Sequence, residues 1–128
     1  MIRDTIVKKI FSHDDSRGFF REIFKINNDF SNITINQVSH SLVNEGIIKG
    51  WHGHKQQHQW NYILKGSALI VLYDDRKDSI TYKSKKIFTI NSEINKVFYY
   101  FPPGILHGYK CIKGPMDIIY ATSGTYDA

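Results

Sequence analysis

Three of this chain's six histidines, His52, His54 and His58, fall within seven positions in the stretch KGWHGHKQQHQW (49–60). A fourth, His107, follows the Pro-Pro-Gly corner of FPPGILHGY (101–109). Imidazole ordinarily exchanges its proton near neutrality, so such a group can serve as a general base or acid. It also binds divalent metals: His52, His54 and His107 could offer three imidazoles to iron, manganese, zinc or nickel. Gln59 would be a poor fourth ligand, being neutral and weakly basic. A lone histidine on a strand is more simply structural, but two on one face and a third after a Pro-Gly turn weaken that simpler reading.

Strands have to position these side chains. β-Branched and aromatic residues dominate, and turn residues recur about every ten positions, as in small all-β domains. The runs are TIVKKIF (5–11), FFREIFKI (19–26), ITINQVSHSL (33–42), IIKGWH, HQWNYIL (58–64), SALIVLYD (67–74), SITY, KIFTI, VFYYF (97–101), LHGYKCI and MDIIYAT. SHDDSRG (12–18) reads as a turn-rich cluster, and no long window carries a helical apolar stripe. The pattern predicts an all-β fold, a closed barrel or jelly roll, as one domain over residues 1–128. Alternation puts His52 and His54 on one face. On the next run it separates His58, Trp60, Tyr62 and Leu64 from Gln59, Asn61 and Ile63. One such face lines the barrel, where a ligand can be held.

Seventeen basic and twelve acidic residues give a net charge of +5, which suits an anionic partner such as a phosphate or a nucleotide. The lysines and arginines are scattered, which argues against nucleic acid. KSKK (83–86) reads as a solvated strand edge, where lysine discourages aggregation. Cys111 is the single cysteine, so no internal disulfide forms, and a free thiol is at home in reducing cytosol. No apolar run is long enough to span a bilayer, and the N-terminus lacks a signal-peptide stretch. A soluble cytoplasmic protein is expected.

Longer spacings sharpen the picture. Gly46-x5-His52-x-His54-x4-Gln59-x6-Gly66 resembles the first signature of the cupin barrels, with glutamine where metal-binding cupins usually carry glutamate. Pro102-x-Gly104-x-x-His107 resembles the core of the second, with Lys96 and Cys111 where its glycine and asparagine stand. DDSRGFFREIF (14–24), NQVSHS (36–41), GIIKGWH (46–52), DDRKDSITY (74–82), FPPGILHGY (101–109) and IIYATSGTYD (118–127) follow in order. Together they resemble the dTDP-4-dehydrorhamnose 3,5-epimerase family. That resemblance implies a cupin-type jelly roll, without metal or other cofactor, usually a homodimer, acting on a nucleotide sugar beside its ketone.

The resemblance also implies roles. His52 matches the base that takes the proton next to the keto group, and His107 a pocket histidine. Tyr126, or else Tyr120, matches the opposing acid. Arg17 and Glu22 match residues that reach the neighbouring subunit's nucleotide, Arg17 for phosphate and Glu22 for the base. Gln37 matches a pocket glutamine. Lys49 stands for the family's arginine, keeping the charge without the fork. Ser39 stands for an asparagine, and Gln59 for a lysine that could steady an enolate. Lys49 or His54 could supply that missing charge. The family's aspartate that orients the base has no match in these 128 residues; Asp74, Asp75 and Glu45 are the candidates to replace it. KGWHGHK is also similar to the RGxHAHK motif of nucleotide-sugar 3,4-ketoisomerases, where two histidines flank the sugar. His54 suits that alternative better.

Several of these residues have plainer readings too. Arg17 could cap the turn after DDS. Arg76 is expected to pair with Asp74 or Asp75. VFYYF reads as core and dimer interface.

Overall fold

The computed structural model describes residues 1–26, 30 and 32–124. Among them are nine strands and no helix: β1 Ile6–Lys9, β2 Ser12–Asp15, β3 Gly18–Arg21, β4 Gln37–Val43, β5 Ile48–His52, β6 Gln59–Asp74, β7 Lys85–Asn91, β8 Val97–Phe101 and β9 Ile105–Thr122. No helix is therefore long and apolar enough to cross a membrane.

Two long antiparallel strands organise everything else. The first part of β6 pairs with β8 and with the last part of β9, giving a sheet in the order β1-β8-β6-β9-β4. The second part of β6 pairs with β7 and with the first part of β9, which also pairs with β5. Register shifts between Ile63 and Ala68 mark the bend. Gly66 sits there with φ +93°, and a Cβ would come within 2.8 Å of the Lys113 carbonyl oxygen and 2.9 Å of the Met116 Cα. Only glycine fits so tight a corner in that conformation. The expected strands HQWNYIL and SALIVLYD are thus one bent strand, as are LHGYKCI and MDIIYAT.

Alternation decides which side chains go where. Ile63, Tyr99, Phe101 and Ile118 join Ala68, Ile70, Leu72, Ile90, Ile105 and Cys111 in one buried cluster between the two layers. Fully burying such a side chain contributes about 1.5–3 kcal/mol. The opposite face of the first sheet carries Trp60, Tyr62, Phe98 and Tyr100, covered by Ile10, Ile23, Phe24, Phe30, Ile33 and Ile35. VFYYF therefore feeds two cores, and its five residues are buried by the chain itself.

Three expectations change; FFREIFKI (19–26), first, is strand only as far as Arg21. SITY is not a strand: residues 79–82 form turns, and the Ser79 and Thr81 hydroxyls donate to the Asp74 carboxylate at 2.7 and 2.6 Å. Polar side chains offered a buried anion pull this run out of the sheet. SHDD, read as turn, is β2, paired with β3 in a separate hairpin whose turn is Ser16-Arg17.

Candidate active site

Strand register assembles the polar residues at the inner faces. On β9, His107 and Tyr109 point inward from the first part, and Ile118, Tyr120 and Thr122 from the last. His52 pairs directly with His107, and Lys49 with Tyr109. Lys49 and His52 are three positions apart and would face opposite ways on a regular strand. A register shift between them turns both to the same side. Beyond the bend Gln37 and Gln59 flank Thr122, while Ser39 and Asn61 flank Tyr120. The result is a cavity of about 630 Å³ lined by His52, His54, His107, Lys49, Gln37, Gln59, Tyr120 and their neighbours.

The imidazoles form one group. The His52 and His54 ring centroids each lie 5.8 Å from that of His107, and the Phe101 ring centroid lies 4.4 Å from it. His107 Nε2 is buried without a hydrogen-bond partner. Burial, then the nearby His54 and His52, pushes the His107 pKa down to about 3. His54 is lowered as well, by burial and then by His52. Both are neutral at pH 7. Gln59 is buried and donates to Asn61 Oδ1 at 2.7 Å, while Asn61 donates to the Tyr99 carbonyl. Among the described residues, no group of three or more His, Cys, Asp or Glu is placed to hold a metal ion.

Seven of the residues expected at the site therefore meet in one cavity. Arg17 and Glu22 do not. Arg17 clamps the hairpin turn, its backbone N–H donating to Asp15 at 2.8 Å and its guanidinium at 2.6 Å, and Glu22 pairs with Lys25 at 3.4 Å. Tyr126 lies outside the described residues, whereas Tyr120 lines the cavity. His58 faces the second core and bonds the Tyr100 hydroxyl at 2.7 Å.

None of the three carboxylates considered for orienting His52 does so. Asp74 is fully buried and bound by Arg76, Ser79 and Thr81. Glu45 accepts from the Gly114 N–H, and Asp75 is exposed. Tyr109 went unanticipated, although its place two residues after His107 would have found it. Burial, then Tyr120 and Cys111, raises its pKa to about 12, so it stays a hydroxyl.

The sequence profile of the dTDP-4-dehydrorhamnose 3,5-epimerase family matches residues 1–128. The chain belongs to this family. It is an isomerase of the epimerase type. It is 35% identical over 130 residues to the spore coat polysaccharide biosynthesis protein SpsL of Bacillus subtilis, covering 99% of the chain and 83% of that protein. It is 29% identical over 128 residues to the probable low-salt glycan biosynthesis epimerase Agl13 of Haloferax volcanii, covering 98% and 81%. A 3'-monoepimerase from Streptomyces bikiniensis, solved with dTDP-quinovose, superposes with a TM-score of 0.89 at 20% identity, over 98% of this chain and 67% of that one. A Legionella pneumophila epimerase solved with dTDP-4-keto-L-rhamnose gives 0.88 at 24%, over 98% and 70%. These structures confirm the jelly-roll fold of the cupin type that the sequence implied.

Proposed function

We propose that this enzyme inverts a carbon beside the ketone of a nucleoside-diphospho-4-keto-6-deoxy sugar, within surface-polysaccharide synthesis. The observation that supports this reading is that one cavity is lined both by His52, paired with the first part of β9, and by Tyr120, on the last part of β9 beyond the bend. A sugar between them is reached from two sides. His52 takes the proton from the carbon next to the ketone, giving an enolate. The Tyr120 hydroxyl returns a proton from the other side, which inverts the centre, and solvent resets both groups. Tyr120 rather than Tyr126 takes the acid's role.

The enolate oxygen needs a donor. His107 supplies it as a neutral imidazole, because its depressed pKa keeps it uncharged. Gln59 leaves the pocket without the family's lysine, so Lys49 is the cation available for the diphosphate. No cofactor is needed for this chemistry. The relatives named for polysaccharide and glycan biosynthesis support the pathway. A buried free thiol, Cys111, suits a cytoplasmic enzyme.

A homodimer completes the site. The β4 edge exposes Val38 and Leu42 at 63% and 61%, and the β2–β3 hairpin exposes Phe19 and Phe20 at 63% and 61%. Isolated apolar residues are common on surfaces, but an apolar edge strand facing an apolar hairpin invites pairing. Such pairing carries Arg17 and Glu22 to the partner's nucleotide.

The deciding experiment incubates the protein with dTDP-4-keto-6-deoxyglucose in heavy water, followed by mass spectrometry and NMR. Deuterium gain with an inverted centre is expected, and His52→Ala is expected to abolish it in a folded protein. A migrated ketone would favour 3,4-ketoisomerase chemistry, for which His54 beside His107 is the supporting observation. No gain above a no-protein control, with this and other nucleotide sugars, would overturn the reading.

A further inference from the structure

Arg76 is not among the residues lining the cavity, yet it touches β6, which carries two of them, and the corner that leads into β9, which carries more. Its guanidinium donates to both Asp74 oxygens, at 2.9 and 3.0 Å, to Asp4 at 3.0 Å and to the Arg3 carbonyl at 2.6 Å. The Asp74 side chain is fully buried and also accepts from the Arg76 N–H, Ser79 and Thr81. A forked cation on a saturated, buried carboxylate is a rigid unit.

That unit carries the Pro-Pro-Gly corner. The aliphatic stem of Arg76 lies under Gly104, where a Cβ would collide with Cγ and come within 3.1 Å of Cδ. Gly104 adopts φ +89°, a conformation that favours glycine. Its carbonyl accepts from the Asp75 N–H at 3.0 Å, and its own N–H donates to the His54 carbonyl at 2.8 Å. His54 lies between β5 and β6, in neither strand, so this bond ties its loop to the barrel. Directly after the corner, Ile105 pairs with Asp74 and His107 with Leu72.

We propose that Arg76 is a positioning residue of the active site: anchored on Asp74, it fixes Gly104 and thereby sets where His54 and His107 stand in the cavity. Its effect on turnover follows only if the cavity is the place of proton transfer, as proposed above. Its effect on the histidines does not depend on that.

The test has two arms. In the heavy-water assay, Arg76→Ala should lower kcat per folded molecule by about 10²-fold, the order expected from a misplacement of about 1 Å. KM should hold, because Arg76 touches no part of the cavity that would bind the nucleotide. Arg76→Lys should recover part of the loss, since lysine keeps the charge but not the fork. In NMR of the ligand-free protein, Arg76→Ala should shift the His54 and His107 ring resonances and leave those of His13 and His40 in place. Gly104→Ala, whose Cβ would displace the Arg76 stem, should produce the same shifts, and it decides the matter if Arg76→Ala fails to fold. Unshifted His54 and His107 resonances with wild-type kcat, even if Tm falls, would overturn the proposal. A wild type that exchanges no proton would overturn the proposed function instead, and the NMR arm would still judge Arg76.

Discussion

Asp74 and His107 are diagonal neighbours on one sheet face. Asp74 pairs with Ile105, and His107 pairs with Leu72, two residues earlier on β6. Both titrate below their ordinary ranges, for opposite reasons. Burial alone would raise the Asp74 pKa, but hydrogen bonds from Arg76, Thr81 and Ser79 outweigh it and favour the charged form. For His107 burial dominates and disfavours the charged form, and its Nε2 is left without a partner. Buried polar groups are nearly always bonded, so an unbonded one marks a place that the fold alone does not complete. One group is finished by the protein and holds the frame; the other stands unbonded at the cavity wall.

Removing the finished group should have the largest effect. Asp74→Ala strips the partner from a mostly buried guanidinium and is expected to destabilise by about 3–5 kcal/mol, the usual result of breaking a buried pair. Urea unfolding measures this. A loss below about 1 kcal/mol, within the range of ordinary surface ion pairs, would mean that the network is no anchor.

His107→Leu should behave in the opposite way. It removes a polar atom that has no partner, so stability should hold or rise, by up to about 1 kcal/mol. Turnover should fall by about 10²–10³-fold, as when one oxyanion donor is lost. If instead the variant unfolds and folded remnants keep full activity, His107 is a structural histidine.

Acid separates the two groups further. The unfolded chain binds a proton at a histidine below about pH 6.5, whereas folded His107 does so only near 3. Stability therefore falls as pH drops through that window, and His54 and His58, lowered in the same direction, add to the fall. Asp74 acts lower. Its folded pKa is depressed, so its contribution is whole above the ordinary carboxylate value of about 3.9 and is lost only below it. Tm measured from pH 7 to pH 4 should decline less steeply in His107→Leu than in wild type. Identical slopes would show that His107 is not the group resisting protonation.

The same contrast explains what the sequence could and could not show. Period-two alternation made Gln59 and His58 face opposite ways, and they do. It also made His52 and His54 neighbours, and both reach the cavity. Bends are not periodic: nothing in SALIVLYD says that it continues HQWNYIL through Gly66. SITY has strand composition, but the need of buried Asp74 for two hydroxyls is a tertiary fact. The sequence offered two tyrosines for the proposed acid, six residues apart in one C-terminal stretch. Register against β4 and β6 brings Tyr120 inward, and no local pattern could supply that register.

The smallest effect tests whether saturation matters without burial. Arg17 and Asp15 are bonded as fully as a hairpin turn permits, but the Arg17 side chain is 88% exposed. Exposed pairs are screened by water and salt, so Arg17→Ala should leave Tm unchanged. In the proposed dimer, however, Arg17 gives up Asp15 for a partner's diphosphate. A hydrogen bond to a charged group contributes about 1.5–3 kcal/mol, so KM should rise at least about tenfold while kcat holds. Size measurement by light scattering, run beside the kinetics, shows whether the dimer persists in the variant. A dimer with wild-type KM would leave Arg17 as the turn clamp its sequence neighbours suggested, and Lys49 would then carry the diphosphate alone.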